Sequence, residues 1–233
     1  MSEFGTSVLE RPATTGYPVL VIDDHELFAT SLRMALRMKG FDARQAEVGK
    51  FTEVLAQPCP RDGGLVVLDL DLGRDANGNW LSGADLVRGL RAQGWKVLIV
   101  SGRVDQSATA VAIAEGALGS VPKSSSFETL LRTVVATAQG RAVMSEAERQ
   151  AWLARHQSQL VRERAVNQRL GRLSNRERQV LELLAEGLRA SAIAEKFVVS
   201  MTTVRTQIRS VLTKLEVTSQ LEAVALVHQR RRW

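Results

Sequence analysis

The run LSNRERQVLELLAEGLRASAIAEKFVVSMTTVRTQIRSVLTKL, from Leu173 to Leu215, divides into three helical patterns separated by Gly187 and by the polar stretch around Ser200. In the last pattern Val204, Ile208, Val211, Leu212 and Leu215 recur at helical spacing, and this stripe predicts a buried face. The opposite face carries Thr202, Arg205, Thr206, Arg209 and Thr213, cations and hydroxyls without a carboxylate. Such a face suits a DNA major groove, where arginine forks onto guanine edges or phosphate and threonine reaches phosphate or a thymine methyl. Thr203 and Gln207 on the same helix complete the candidate DNA-contacting set. Val180, Leu181 and Leu184 on the first helix and Ile193, Ala194 and Phe197 on the second supply packing support. A helical bundle with a solvated basic face carries the same periodicity, so this pattern alone leaves both readings open.

The charge distribution adds weight to the DNA-contacting reading. The 233-residue chain carries +6 formally, with 45% hydrophobic and 24% charged residues, as an ordinary globular protein of about two domains does. Between Tyr17 and Gly140 there are 13 Lys/Arg against 14 Asp/Glu; from Arg141 onward there are 17 against 9. The basic excess therefore sits with the candidate reading helix, as expected of a nucleic-acid binder. The single cysteine, Cys59, excludes an intrachain disulfide and has no metal-ligand spacing around it. Neither a signal-peptide pattern nor an apolar run of spanning length is present, which predicts a cytoplasmic protein without membrane contact.

LSNRERQVLELLAEGL, then IAEKF, S-x-x-TVRTQI and KLEV, resemble the LuxR-type helix-turn-helix of NarL/FixJ-class response regulators over about 55 residues, Leu173 to Val227. That resemblance implies that Arg205, Thr206 and Arg209 reach into the groove, and that the final helix, Ser219 to Gln229, pairs two DNA-binding domains about a two-fold axis. Gln207 stands where the family usually has histidine. RASAIA replaces an SNKEIA-like run before the second helix, which predicts a weaker cap at Ser191.

Upstream, VLVI (Val19 to Ile22), LVVL (Leu65 to Leu68) and KVLIV (Lys96 to Val100) are short continuous apolar runs, the pattern of strands buried on both faces. With weaker strands at Ala43 to Ala46 and Ser120 to Val121, and with intervening helical segments including Phe51 to Ala56, they predict a doubly wound α/β domain. Its sheet has five parallel strands in the flavodoxin-like order 2-1-3-4-5. A long linker helix and a small all-α, four-helix helix-turn-helix domain follow. The expected boundaries are a disordered tail over 1–16, a receiver over 17–140, a helical linker over 141–172 and the DNA-binding domain over 173–233.

In a doubly wound fold the site lies beyond the carboxyl ends of the strands. There the sequence places Asp23 and Asp24, Asp69, Ser101 and Lys123. Any one of these could be a cap or loop residue, but carboxylates gathered together call for a shared cation, and oxygen ligation points to Mg2+. A hydroxyl and an ammonium beside them suit phosphoryl chemistry on a carboxylate.

VIDDH, VVLDLDLG, VLIVSG and the lysine after GSVP resemble the CheY-like receivers of two-component systems over roughly Pro18 to Gly140. This implies that Asp69 accepts a phosphoryl group from a sensor histidine kinase. It also implies that Asp24 binds Mg2+ directly, Asp23 through water, and Asp71 by its backbone carbonyl. Ser101 is then the switch hydroxyl and Lys123 pairs with the phosphoryl group, with phosphorylation favouring a homodimer on paired half-sites.

Two departures stand out. Thirteen residues separate Asp69 from Gly83, and the extra stretch GRDANGNW (residues 74–80 and Gly73) reads either as a benign loop or as a lid over the acceptor. Ser120 stands where receivers carry an aromatic switch residue, and Ser124 replaces a common proline. These motivate an alternative, an atypical receiver set by ligand, partner or constitutive dimerisation. A small Mg2+-dependent phosphatase is disfavoured because LDLDLGR has no hydroxyl after its second aspartate; apart from its own phosphorylation and dephosphorylation, no enzymatic role is expected. The linker, opening SEAE with Ser145 as cap, has seven-residue spacings (Leu153 and Leu160) interrupted by Arg149, His156 and Glu163. It packs either against a second protomer or on its own receiver.

Overall fold

The computed structural model describes residues 16–46, 58–74, 80–102 and 105–231. Most of the expected tail and the expected helix at Phe51 to Ala56 lie outside the described residues. The chain divides into two compact units, residues 1–156 and 157–233.

In the first unit five strands form a parallel sheet: β1 (Pro18–Ile22), β2 (Asp42–Gln45), β3 (Leu65–Leu68), β6 (Lys96–Ser101) and β7 (Ser120–Pro122), in the order β2-β1-β3-β6-β7. This is the expected 2-1-3-4-5 order, with strands β4 (Asp71–Arg74) and β5 (Trp80–Ser82) set aside as a separate antiparallel pair. The central strands are apolar throughout because both faces are covered. Alternate residues Leu20, Ile22, Val66, Leu68, Val97 and Ile99 pack against α2 (Gly83–Ala92) and α3 (Gln106–Ala114) through Val87, Leu90, Ala112 and Ile113. The intervening Val19, Val21, Leu65, Val67, Leu98 and Val100 pack against Leu32 and Leu36 of α1 (Glu26–Met38) and Leu130 and Val134 of α4 (Phe127–Ala138). Each such side chain, once buried, contributes about 2 kcal/mol.

The two ends of the extra stretch after Asp69 pair as strands, while residues 75–79 between them lie outside the described residues. Asp71 pairs with Ser82 and Arg74 with Trp80, with an irregular register between them. Gly73, at φ +72, supplies the left-handed turn of chain that this irregularity needs.

Helix α5 (Glu146–Gly171) begins with a reciprocal cap: Glu148 N–H donates to Ser145 Oγ (3.2 Å), and Ser145 N–H to Glu148 Oε2 (2.8 Å). Its first turns pack on their own receiver. Met144 and Trp152 lie against the α2/α3-side core, and Arg149 Nη2 donates to the carbonyls of Ala117 (3.1 Å) and Leu118 (3.2 Å).

In the second unit α6 (Asn175–Ala185), α7 (Ala190–Phe197), α8 (Met201–Leu215) and α9 (Gln220–Arg231) enclose a small core. Val204, Ile208, Val211 and Leu215 of α8 are buried at its centre, as their spacing predicts. On α6 Val180 and Leu181 are buried and Leu184, half-buried, packs against the same core as Val180, as their spacing predicts; Leu183 is buried with them. The α7 cap position is Arg189, without a side-chain cap bond; Ser191 lies inside the helix, one residue beyond its start at Ala190. Among the described residues no helix is long and apolar enough to cross a membrane.

Candidate functional site

Parallel register brings the carboxyl ends of β1, β3, β6 and β7 to one edge, and backbone bonds lock them there. Asp69 N–H donates to Ile22 O (2.8 Å) and Lys123 N–H to Ser101 O (2.8 Å). The side chains then converge. Lys123 Nζ donates to Asp69 Oδ2 at 2.6 Å and lies within 2.7–2.8 Å of both Asp23 oxygens. Asp23 and Asp69 are 3% and 2% exposed; Ser101 is also buried, Asp71 half-buried and Asp24 exposed. The Asp71 N–H donates to Asp69 Oδ1 at 3.3 Å.

His25 is a member of this pocket that the motif VIDDH spelled without revealing its role. Its Nδ1 stands 2.7 Å from Asp24 Oδ1, and its backbone N–H donates to Asp23 Oδ1 at 2.9 Å. Ligand atoms from Asp23, Asp24, His25 and Asp69 all fall within 4.8 Å of one another. Three carboxylates at that separation, two of them buried, need compensating positive charge, and among the described residues one ammonium, that of Lys123, is bonded among them. The donor set fits a hard divalent cation: carboxylate oxygens in excess of the local positive charge, on the exposed side of the buried pair.

Burial pushes the Asp69 carboxyl above its usual range, and Asp23 adds to this; the Lys123 bond opposes both without cancelling them. Burial draws Lys123 down, but its bonds to Asp23 and Asp69 outweigh that and hold the ammonium above its ordinary value. The two therefore form an ion pair in which the carboxyl is held above its ordinary value by burial and the ammonium above its own by the two aspartates.

The β4/β5 hairpin borders the pocket. A β-carbon on Gly73 would lie 3.5 Å from Asp24 Oδ2, so β4 runs directly beside that carboxylate. Ser82 caps α2 by accepting from Ala84 N–H (3.3 Å), and Gly83 N–H donates to Leu70 O at 2.9 Å, which ties the base of the hairpin to the acceptor strand.

On α8, Thr202, Thr203, Arg205, Thr206 and Arg209 are all exposed, opposite the buried stripe. Ser200 caps the helix by accepting from Thr203 N–H (3.1 Å), and its hydroxyl meets the Thr203 hydroxyl at 2.9 Å. Thr206 and Thr213 donate to carbonyls one turn back, at 2.9 and 3.0 Å, which leaves their methyls and remaining lone pairs outward. Gln207 is only half-exposed, and its Oε1 is buried without a hydrogen-bond partner. Glu177 fixes α8 from within: it completes the α6 capping box with Ser174 and accepts from Lys214 Nζ (2.7 and 2.8 Å) and Ser210 Oγ (2.6 Å). These bonds, Lys214 first, lower its pKa to about 2.

Residues 19–135 match the family described as "Response regulator receiver domain", and residues 171–227 match "Bacterial regulatory proteins, luxR family". The nitrate/nitrite response regulator protein NarP of Escherichia coli (strain K12) is 31% identical over 226 residues, covering 94% of this chain and 98% of NarP. The BvgA transcription regulator of Bordetella pertussis is 28% identical, covering 89% and 95%. The crystal structure of full-length FixJ from B. japonicum is 26% identical and covers 94% of this chain and 99% of its own, with a TM-score of 0.43. The chain belongs to the NarL-type two-component response regulators, a receiver domain joined to a DNA-binding LuxR-type domain.

Proposed function

We propose that the receiver, over residues 17–140, is switched by phosphorylation of Asp69, and that the LuxR-type domain, over 173–233, reads paired DNA half-sites as a dimer in response. The observation that carries this reading is Lys123 Nζ seated between Asp69 and Asp23, with Asp24 beside them. A histidine kinase is the donor, in the cytoplasm. Its phosphoimidazole P–N bond breaks as a P–O bond forms to an Asp69 carboxylate oxygen, and the imidazole leaves with the electron pair.

Asp23, Asp24, Asp69 and the Asp71 carbonyl would hold Mg2+, which when bound neutralises charge on the phosphoryl oxygens. Lys123 compensates charge from the other side, and the Ser101 hydroxyl donates to a phosphoryl oxygen. In the second domain Arg205 and Arg209 address base edges or phosphates from the exposed face of α8, with Thr202, Thr203, Thr206 and Gln207 contacting the backbone. Leu221, 80% exposed on α9, gives a dimer an apolar surface to cover.

Intact mass after incubation with acetyl phosphate and Mg2+ tests the switch: one phosphoryl group on the wild type and none on Asp69→Asn. A wild type that takes up none would replace this reading with a receiver set by ligand, partner or constitutive dimerisation.

A further inference from the structure

Beside the end of β6 lies a cavity of about 210 Å3, lined by Ser101, Ser120 and Pro122 of the sheet, by Thr109 of α3, and by Val143, Met144, Glu148 and Trp152 of the segment leading into and along α5. We propose that Trp152, with Met144, reads the phosphorylation state of the receiver by closing on this cavity when Ser101 turns toward Asp69. The proposal rests on the phosphorylation of Asp69 argued above and names the residues that carry its signal out.

Four features support it. First, Ser101 connects the two places: it ends β6, beside β3 in the sheet and one strand from Asp69, and it also lines the cavity. Second, the wall that the sheet and α3 give the cavity is made of small residues. Ser101, Thr109, Ser120 and Pro122 cannot reach across it, and among the described lining residues the long apolar side chains are Met144 and Trp152. Third, the space is large enough to matter. A cavity of about 150 Å3 admits a benzene ring, and space left unfilled forfeits packing contacts or must hold water.

Fourth, α5 is seated on the segment that leads into β7, the strand that pairs with the Ser101 end of β6. Arg149 hangs from the carbonyls of Ala117 and Leu118, and a β-carbon on Gly119 would stand 3.1 Å from Val143 Cβ, so this segment abuts the approach to β7. Trp152 is held at its edge by the Arg155 guanidinium, 5.3 Å from the ring centroid, and Arg155 in turn bonds Gln106 of α3. Half-buried, the ring can move inward without unfolding the helix. Loss of the Ser101 hydroxyl from the cavity wall therefore favours inward packing by linker side chains, and the first turns of α5 become the receiver's output element.

The test is hydrogen–deuterium exchange of the full chain, with and without acetyl phosphate and Mg2+, with phosphoryl occupancy followed by intact mass in the same samples. Exchange over residues 143–156 is expected to slow severalfold on phosphorylation of the wild type. Trp152→Ala, and Ser120→Phe with its ring filling the cavity, should take up the phosphoryl group but lose that change; Trp152→Ala alone suffices where Ser120→Phe does not fold. Phosphorylated wild type with unchanged exchange over 143–156, or Trp152→Ala with the wild-type response, would overturn the proposal while leaving Asp69 as acceptor. Absence of any phosphoryl group on Asp69 would remove both.

Discussion

A β-carbon placed on Gly83 would stand 1.9 Å from the carbonyl oxygen of Asp69. The first residue of α2 thus presses its bare Cα onto the backbone of the acceptor, and no side-chain rearrangement can relieve the contact. Gly83→Ala must displace either Asp69 or the hairpin base. The expected cost is about 2–3 kcal/mol of receiver stability, as for overpacking elsewhere. A reduced rate of phosphoryl uptake from acetyl phosphate should accompany it. Thermal unfolding and intact mass measure the two; an alanine variant with wild-type values in both would mean that the hairpin base yields freely.

Much of this arrangement is legible in the sequence. VLVI, LVVL and KVLIV announce strands covered on both faces, and the parallel order then carries Asp23, Asp69 and Lys123 to one edge. The hairpin is not legible, because β5 is only three residues long and Gly73 breaks any alternation in β4. Nor is the contact of His25 with Asp24, which depends on a rotamer rather than on spacing. The linker's seven-residue spacing says that one face is apolar but not what covers it; Trp152 on the receiver core is a tertiary fact. Leu183, buried beside the expected Leu181 and Leu184, shows that the apolar face of α6 is wider than the spacing alone marks.

Asp69 should destabilise the metal-free protein at neutral pH. Its folded pKa is raised, chiefly by burial, so the protonated acid is favoured in the folded state. That contribution is complete below the usual carboxylate pKa and is lost as pH rises through the raised folded value. Asp69→Asn, neutral at every pH, is therefore expected to unfold at a higher temperature than the wild type near pH 7 and at about the same temperature in acid. Melting curves without divalent cation and across pH check this, and added Mg2+ should narrow the gap by stabilising only the wild type. A gap that widens toward low pH would contradict the sign.

Glu177 works in the opposite direction. Its pKa falls from 4.5 to about 2, principally through Lys214, so its contribution is present above its unfolded value and lost as pH drops toward 2. Glu177→Ala removes a capping-box acid and strands Lys214 and Ser210, an expected loss of about 2 kcal/mol at neutral pH. The difference between variant and wild type should shrink between about pH 4.5 and pH 2, read from denaturant unfolding followed by helical circular dichroism.

Val198 holds the turn between α7 and α8 in a left-handed conformation, φ 54, with its side chain 90% exposed. A β-branched residue there is strained and buries nothing in return. Val198→Gly is expected to stabilise the DNA-binding unit by about 1 kcal/mol with DNA affinity unchanged. Chemical denaturation and a binding titration measure the two. Weaker DNA binding would mean that the exposed valine touches the duplex.

Arg205 and Arg209 project from α8 on the side away from Val204, Ile208 and Val211, so truncating them should leave the fold intact and change only recognition. Each alanine substitution is expected to weaken operator binding by roughly 1–3 kcal/mol. Salt dependence then separates their roles. A residue on phosphate lowers the slope of log affinity against log salt by about one and weakens all sequences alike, whereas a residue on a base edge relaxes preference at one position. Gln207, with its amide oxygen buried and only its amide N–H groups left to meet a phosphate, should on substitution by alanine reduce affinity without altering preference. Unchanged operator affinity in both Arg205→Ala and Arg209→Ala would move the reading surface off α8 altogether.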